Sequence, residues 1–151
     1  MLKLSRKTLL ALEAVIDIAF NARPEPVQAK EITGRQGVPQ RYLEQVMQQL
    51  VRAGILKGVR GPRGGYRLAK ERRRISVGEI VRVAEAIEDA ENESAKPTSD
   101  LGRRIVAPLI QSLQQEVMQR FDSITIEDLC RRARAEGVAS GEAAVTADFT
   151  I

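Results

Sequence analysis

The sequence contains no histidine and a single cysteine, Cys130. Without an imidazole, histidine-based acid–base catalysis and the serine–histidine triad are excluded. One thiol leaves no ligand set within the chain for a zinc site or a cysteine-ligated iron–sulfur cluster, and no intramolecular disulfide can form. No metal and no cofactor are therefore expected. No apolar run approaches the roughly 20 residues of a membrane span. The opening residues, Met1-Leu2-Lys3-Leu4-Ser5-Arg6-Lys7, lack the apolar stretch and cleavage site of a secretory leader. The expected location is the cytoplasm, with no membrane partner.

What is present is enough for one modest core: 151 residues, 43% of them hydrophobic. The net charge of +4 conceals an asymmetry. Residues 1–84 hold 17 Lys/Arg against 7 Asp/Glu, a net of +10; residues 85–151 hold 7 against 13, a net of −6. A basic first part suggests contact with a polyanion.

The pattern predicts a helix over residues 8–20, with Leu9, Leu12, Ile16, Ala19 and Phe20 as its apolar face. Pro24 and Pro26 stop it, and a short second helix is expected from about Gln28 to Arg35. Pro39 suits the first position of a third helix, Gln40 to Ala53, which Gly54 would close. Two strands, roughly 55–60 and 65–69, flank Arg60-Gly61-Pro62-Arg63-Gly64. A helix, a strand, a Gly/Pro/Arg tip and a second strand spell a winged helix-turn-helix. The glycine run lies between strands rather than before a helix, so it is no nucleotide loop, and nothing else in the chain suggests an enzyme.

Such a head binds double-stranded DNA with its third helix in the major groove and its wing on the backbone or minor groove. Gln40, Arg41, Glu44 and Gln45 are the candidates for base edges, with Gln48 one turn further on. Tyr42 could donate to a phosphate or close the helix turn as a partly buried ring. Arg60, Arg63 and Arg67 cluster at the wing tip, and Lys57, Arg72, Arg73 and Arg74 would add non-specific affinity.

Ser76-Val77-Gly78-Glu79 reads as a capping box opening a fourth helix to about Ile87, with Ile75 and Ile80 as its staple. Residues 88–100 are acidic and nearly free of large apolar side chains, as expected of a mobile linker. A long helix follows over about 101–121, where Leu101, Ile105, Leu109, Leu113, Val117 and Phe121 recur every four residues. A small head cannot bury that stripe, so a second copy of the chain is its expected partner. Pro108 should kink this helix or mark its true start. Thr125-Ile126-Glu127-Asp128 is a further capping box, opening a last helix to about Ala135; the tail from 136 is expected to be disordered. Cys130 has acids and arginines on either side, which leaves open an inert thiol or a redox handle.

The combination of Tyr42-Leu43-Glu44-Gln45, Arg60-Gly61-Pro62-Arg63-Gly64-Gly65-Tyr66-Arg67-Leu68, Ser76-Val77-Gly78-Glu79-Ile80 and Ile124-Thr125-Ile126-Glu127-Asp128-Leu129 resembles the Rrf-two family, over about residues 3–133. These are bacterial winged helix-turn-helix transcription regulators. The resemblance implies a homodimer held by the long C-terminal helix, and a pseudo-palindromic operator. It also implies that Glu44 tunes base preference and that Arg60 enters the minor groove. Repression is the commoner outcome in that family. Its cluster-binding members carry three cysteines in the segment that corresponds to residues 88–104, where this chain has none. The chain thus resembles the cluster-free, CymR-like members, some of which answer to a partner protein, a small molecule or thiol oxidation.

The expected architecture is mainly α with a small β-wing. It comprises a DNA-binding domain over 1–87, a linker over 88–100, and a dimerisation helix with a short last helix over 101–135. A sequence-specific repressor is the leading function, and the acidic half leaves room for an adaptor that binds a partner protein.

Overall fold

The structure is a computed structural model, and it describes residues 4–91 and 96–139. Its helices are α1 (Arg6–Phe20), α2 (Ala29–Gln36), α3 (Gln40–Arg52), α4 (Val77–Glu91), α5 (Ala107–Asp122) and α6 (Ile126–Ala135). Two strands, β1 (Leu56–Val59) and β2 (Gly65–Leu68), form the wing. The architecture is therefore the expected one, mainly helical with a two-stranded wing. The tail expected from 136 falls outside the described residues beyond 139.

α1 begins earlier than its apolar pattern because Ser5 caps it, accepting from the Thr8 N–H at 3.2 Å. Its buried face is also rotated from the expected one. Leu10, Ala11, Ala14, Val15, Ile18 and Ala19 point inward, whereas Leu9 is 48% exposed and Leu12, Ile16 and Phe20 are half-buried. The reason is that α3, α4, α6 and β2 all pack on α1, so the small Ala11 and Ala14 are core positions that a search for large residues passes over.

Asp17, buried on α1, accepts from the Arg35 guanidinium at 2.6 and 2.8 Å and from Gln36 at 3.2 Å. That pair locks the C-terminal end of α2 onto α1. Gly37, at φ +67°, ends α2 in the left-handed conformation that glycine adopts without strain. Pro39 is the N-cap of α3 and not its first residue: its ψ of 135° is extended, and its carbonyl accepts from the Leu43 N–H. Leu43, Val46, Met47 and Leu50 fill the core from α3, each full burial of this kind stabilising by about 1.5–3 kcal/mol.

β1 and β2 pair antiparallel, Leu56 opposite Leu68 and Val59 opposite Gly65. Beyond the expected hairpin there is a third partner: Val27 exchanges both backbone hydrogen bonds with Tyr66, at 3.0 and 2.8 Å. A Cβ on Gly65 would lie 2.3 Å from the Val27 carbonyl oxygen, so only glycine permits the approach.

At the start of α4 the Ser76 hydroxyl accepts from the Glu79 N–H at 3.1 Å, but Glu79 turns its carboxylate to Lys70 at 3.0 Å instead of closing the box. α4 continues to Glu91, past the expected end at Ile87, because Glu88, Ala90 and Glu91 are good helix formers. A π-helical stretch, Gly102–Val106, leads into α5. Pro108 follows it at the second position of α5. Having no N–H, Pro108 could not bond the Arg104 carbonyl, and the widened turn, with Ala107 N–H on the Gly102 carbonyl, is where that gap is absorbed.

The capping box at Thr125 and Asp128 forms in both directions. α6 does not stay with the long helix: Ile126 and Cys130, both fully buried, belong to the head's own core. The turn before it pairs with the segment after the wing, Val77 N–H on the Ile124 carbonyl at 2.8 Å and Ile126 N–H on the Ile75 carbonyl at 2.9 Å. Arg82 and Asp122 close the same corner with two hydrogen bonds, 2.7 and 2.6 Å.

Candidate nucleic-acid interface

The first two turns of α3 present Gln40, Arg41 and Gln45 to solvent, with Gln48 one turn beyond Gln45. Tyr42 and Glu44 are half-buried, and Tyr42 packs against the edge of the core. Gln40 donates its side-chain amide to Glu44 at 3.0 Å, so two of the residues placed for base edges hold one another in the unbound protein.

Across from Gln40 and Glu44, the wing carries Arg60, Pro62, Gly64 and Tyr66 onto the same cleft, of about 580 Å³. The cleft lies between the start of α2, α3 and the wing. Gln28 and Lys30, at the start of α2, also line it. Sequence reasoning passed over both; the signal was a lysine in the first turn of the helix that precedes α3. Tyr66 is half-buried there, and its phenol is pushed above the ordinary range by burial and by the negative charge of Glu44. It remains a neutral hydrogen-bond donor under physiological conditions.

Arg60 and Arg63 are exposed at the tip, but Arg67 does not join them. Its guanidinium donates to the Pro24 carbonyl, in the loop ahead of α2. Two of the four cations expected to add general affinity are also engaged. Arg72 pairs with Glu127 of α6 and Arg73 with Glu71.

The long helix lies against α4 and not against α1. Ile105, Leu109, Leu113 and Val117 are 62%, 56%, 44% and 44% exposed, and Leu101 and Val106 extend the same surface. Phe121, at the lower end, is half-buried. This is a continuous apolar face that nothing among the described residues covers.

Cys130, on α6, is fully buried. Burial raises its thiol above the ordinary range; Arg72 and Arg134 lower it and Glu127 raises it, and the net effect is upward. That is the setting of an inert core thiol rather than a solvent-reached redox handle. Among the described residues, no three His, Cys, Asp or Glu side chains converge as a metal site.

Comparison with known proteins agrees with this geometry. Residues 4–132 match the Rrf2 family, described as "Iron-dependent Transcriptional regulator". The HTH-type transcriptional regulator IscR of Vibrio campbellii is 31% identical over 131 residues, spanning 86% of this chain and 78% of that one. Among solved structures, T. potens IscR superposes with a TM-score of 0.71 at 33% identity, over 93% of this chain and 94% of that one. CymR, the global cysteine regulator of B. subtilis, gives 0.66 at 32% identity, over 87% and 98%. These relatives are regulators, not enzymes. With its α3 and basic wing, the chain belongs to the Rrf2 family of winged helix-turn-helix, DNA-binding transcriptional regulators.

Proposed function

We propose that the protein is a sequence-specific repressor that acts in the cytoplasm as a homodimer on a pseudo-palindromic operator, without an iron–sulfur cluster. The observation that carries this reading is a cleft with Gln40 and Glu44 of α3 on one wall and Arg60 of the wing on the other. Gln40 and Glu44, which line the cleft, and Arg41 and Gln45, exposed on the same helix, read base edges in the major groove, Gln48 reaches a flanking one, and Tyr42 donates to a phosphate. Arg60 enters the minor groove and Arg63 grips the backbone. The uncovered face from Ile105 to Val117, with half-buried Phe121 at its end, supports the dimer, and two heads on one long-helix seam match an operator with two-fold symmetry.

The family description speaks of iron, but the donor set of this chain does not fit an iron–sulfur cluster: it has no histidine, and its one thiol is buried on α6. A small molecule or a partner protein is the effector this leaves. No helix among the described residues is long and apolar enough to cross a membrane.

Selection from a random double-stranded DNA pool by the reduced, metal-free protein tests the reading. Enrichment of a palindrome whose half-sites lie about one helical turn apart is the expected result. Binding that is only salt-sensitive, with no enriched sequence, would overturn it in favour of a protein-binding adaptor.

A further inference from the structure

The wing is held on two sides. β1 pairs with one edge of β2, and on the other edge Tyr66 exchanges two backbone hydrogen bonds with Val27. Gly65 and Arg67, two apart on a strand, share a face. Gly65 is pressed onto the Val27 carbonyl, and Arg67 donates its guanidinium to the Pro24 carbonyl. The loop they grip is itself tied down: Arg23 donates to Glu31 at 2.7 Å and to the Pro26 carbonyl at 3.5 Å, and Glu31 accepts from the Gln28 N–H at 2.7 Å. A chain of contacts therefore runs from the first turn of α2 through residues 23–27 to β2, whose Gly65 end adjoins the tip that carries Arg60.

We propose that Arg67 is a positioning residue and not a phosphate contact: its bond to the Pro24 carbonyl sets the angle at which the wing leaves the head, and so the place of Arg60 relative to α3. This rests on the DNA-binding reading above. Two strands with a glycine-rich tip are pliable by themselves, and a hairpin of this size gains its direction from what it is docked on. The arginine's charge is spent on a carbonyl of its own chain, on the edge where the wing meets the α1–α2 loop. A cation placed there fixes geometry, whereas one facing the duplex would release counterions.

The two roles separate in salt dependence and in coupling. Operator affinity is measured against salt for the wild type, Arg67→Gln, Arg60→Ala and the double variant, with thermal unfolding as the control for folding. Expected is about a tenfold loss for Arg67→Gln with the salt slope unchanged, and an Arg60→Ala effect at least about threefold smaller in the Arg67→Gln background. Gly65→Ala disturbs the same junction without altering any charge, and should reproduce both results. A salt slope lowered by about one unit in Arg67→Gln, or losses that multiply independently, would overturn the proposal. Wild-type affinity in Arg60→Ala would instead remove the wing from DNA binding, sinking the wider reading along with this one.

Discussion

Leu113 is the sharpest place to test the assembly. It lies mid-way along the apolar face of α5 and is 44% exposed in the single chain. Fully burying a leucine is worth about 1.5–3 kcal/mol, so covering the exposed remainder contributes about 0.7–1.3 kcal/mol per copy and about twice that per symmetric dimer. Leu113→Ala forfeits most of this, which weakens dimerisation by about ten- to eightyfold at most. Leu113→Lys does more, because each copy must also desolvate an ammonium at a cost of several kcal/mol. A total of at least about 4 kcal/mol is expected, raising the dimer dissociation constant by roughly a thousandfold or more. Sedimentation equilibrium at micromolar protein reads this directly, with far-UV circular dichroism to show an intact head. Gln115→Lys, on the opposite side of the helix, supplies the same charge and should leave the dimer unchanged. A folded Leu113→Lys protein that dimerises like the wild type would refute the assignment of this face as the seam.

Arg60→Ala should weaken operator binding by about 1–3 kcal/mol and lower the salt slope by about one unit, as titrations at several salt concentrations would show. Glu44→Ala should relax the preference at one base position more than it lowers total affinity, a difference visible in binding to a panel of single-base operator variants. Cys130 should resist a thiol reagent at neutral and mildly alkaline pH, because burial keeps its thiol protonated and out of reach. Denaturant should expose it, and rapid labelling of the native protein would contradict the inert role.

Much of this molecule was legible in its residues. Gly54 and the Thr125–Asp128 box each act through backbone geometry within a few positions, and each behaves as read. The wing was legible for the same reason. What escaped depends on neighbours distant in sequence. The buried face of α1 is set by four elements packing on it, and alanines carry part of it. Arg67 resembles Arg60 and Arg63 in sequence, yet the loop at Pro24 takes its charge. Glu79 had the right spacing to close a capping box, and Lys70 competes for its carboxylate. Arg72 reads as part of a basic run but is drawn to Glu127, on the last helix.

The short pairing of Ser76 with Thr125 gives the long helix an unusual mechanical status. α5 is not a tail hung from the head but an excursion that departs and returns, fastened at its far end within two residues of Ile75 and Val77. Ile126 and Cys130 then fill the same core as Leu10 and Ile18, from near the opposite ends of the described chain. On the ribosome, the head cannot close that core when its wing emerges; it must wait for α6. Folding of the DNA-reading unit and delivery of the seam that would join two such units are thereby ordered in time, with the seam already made when the head becomes stable.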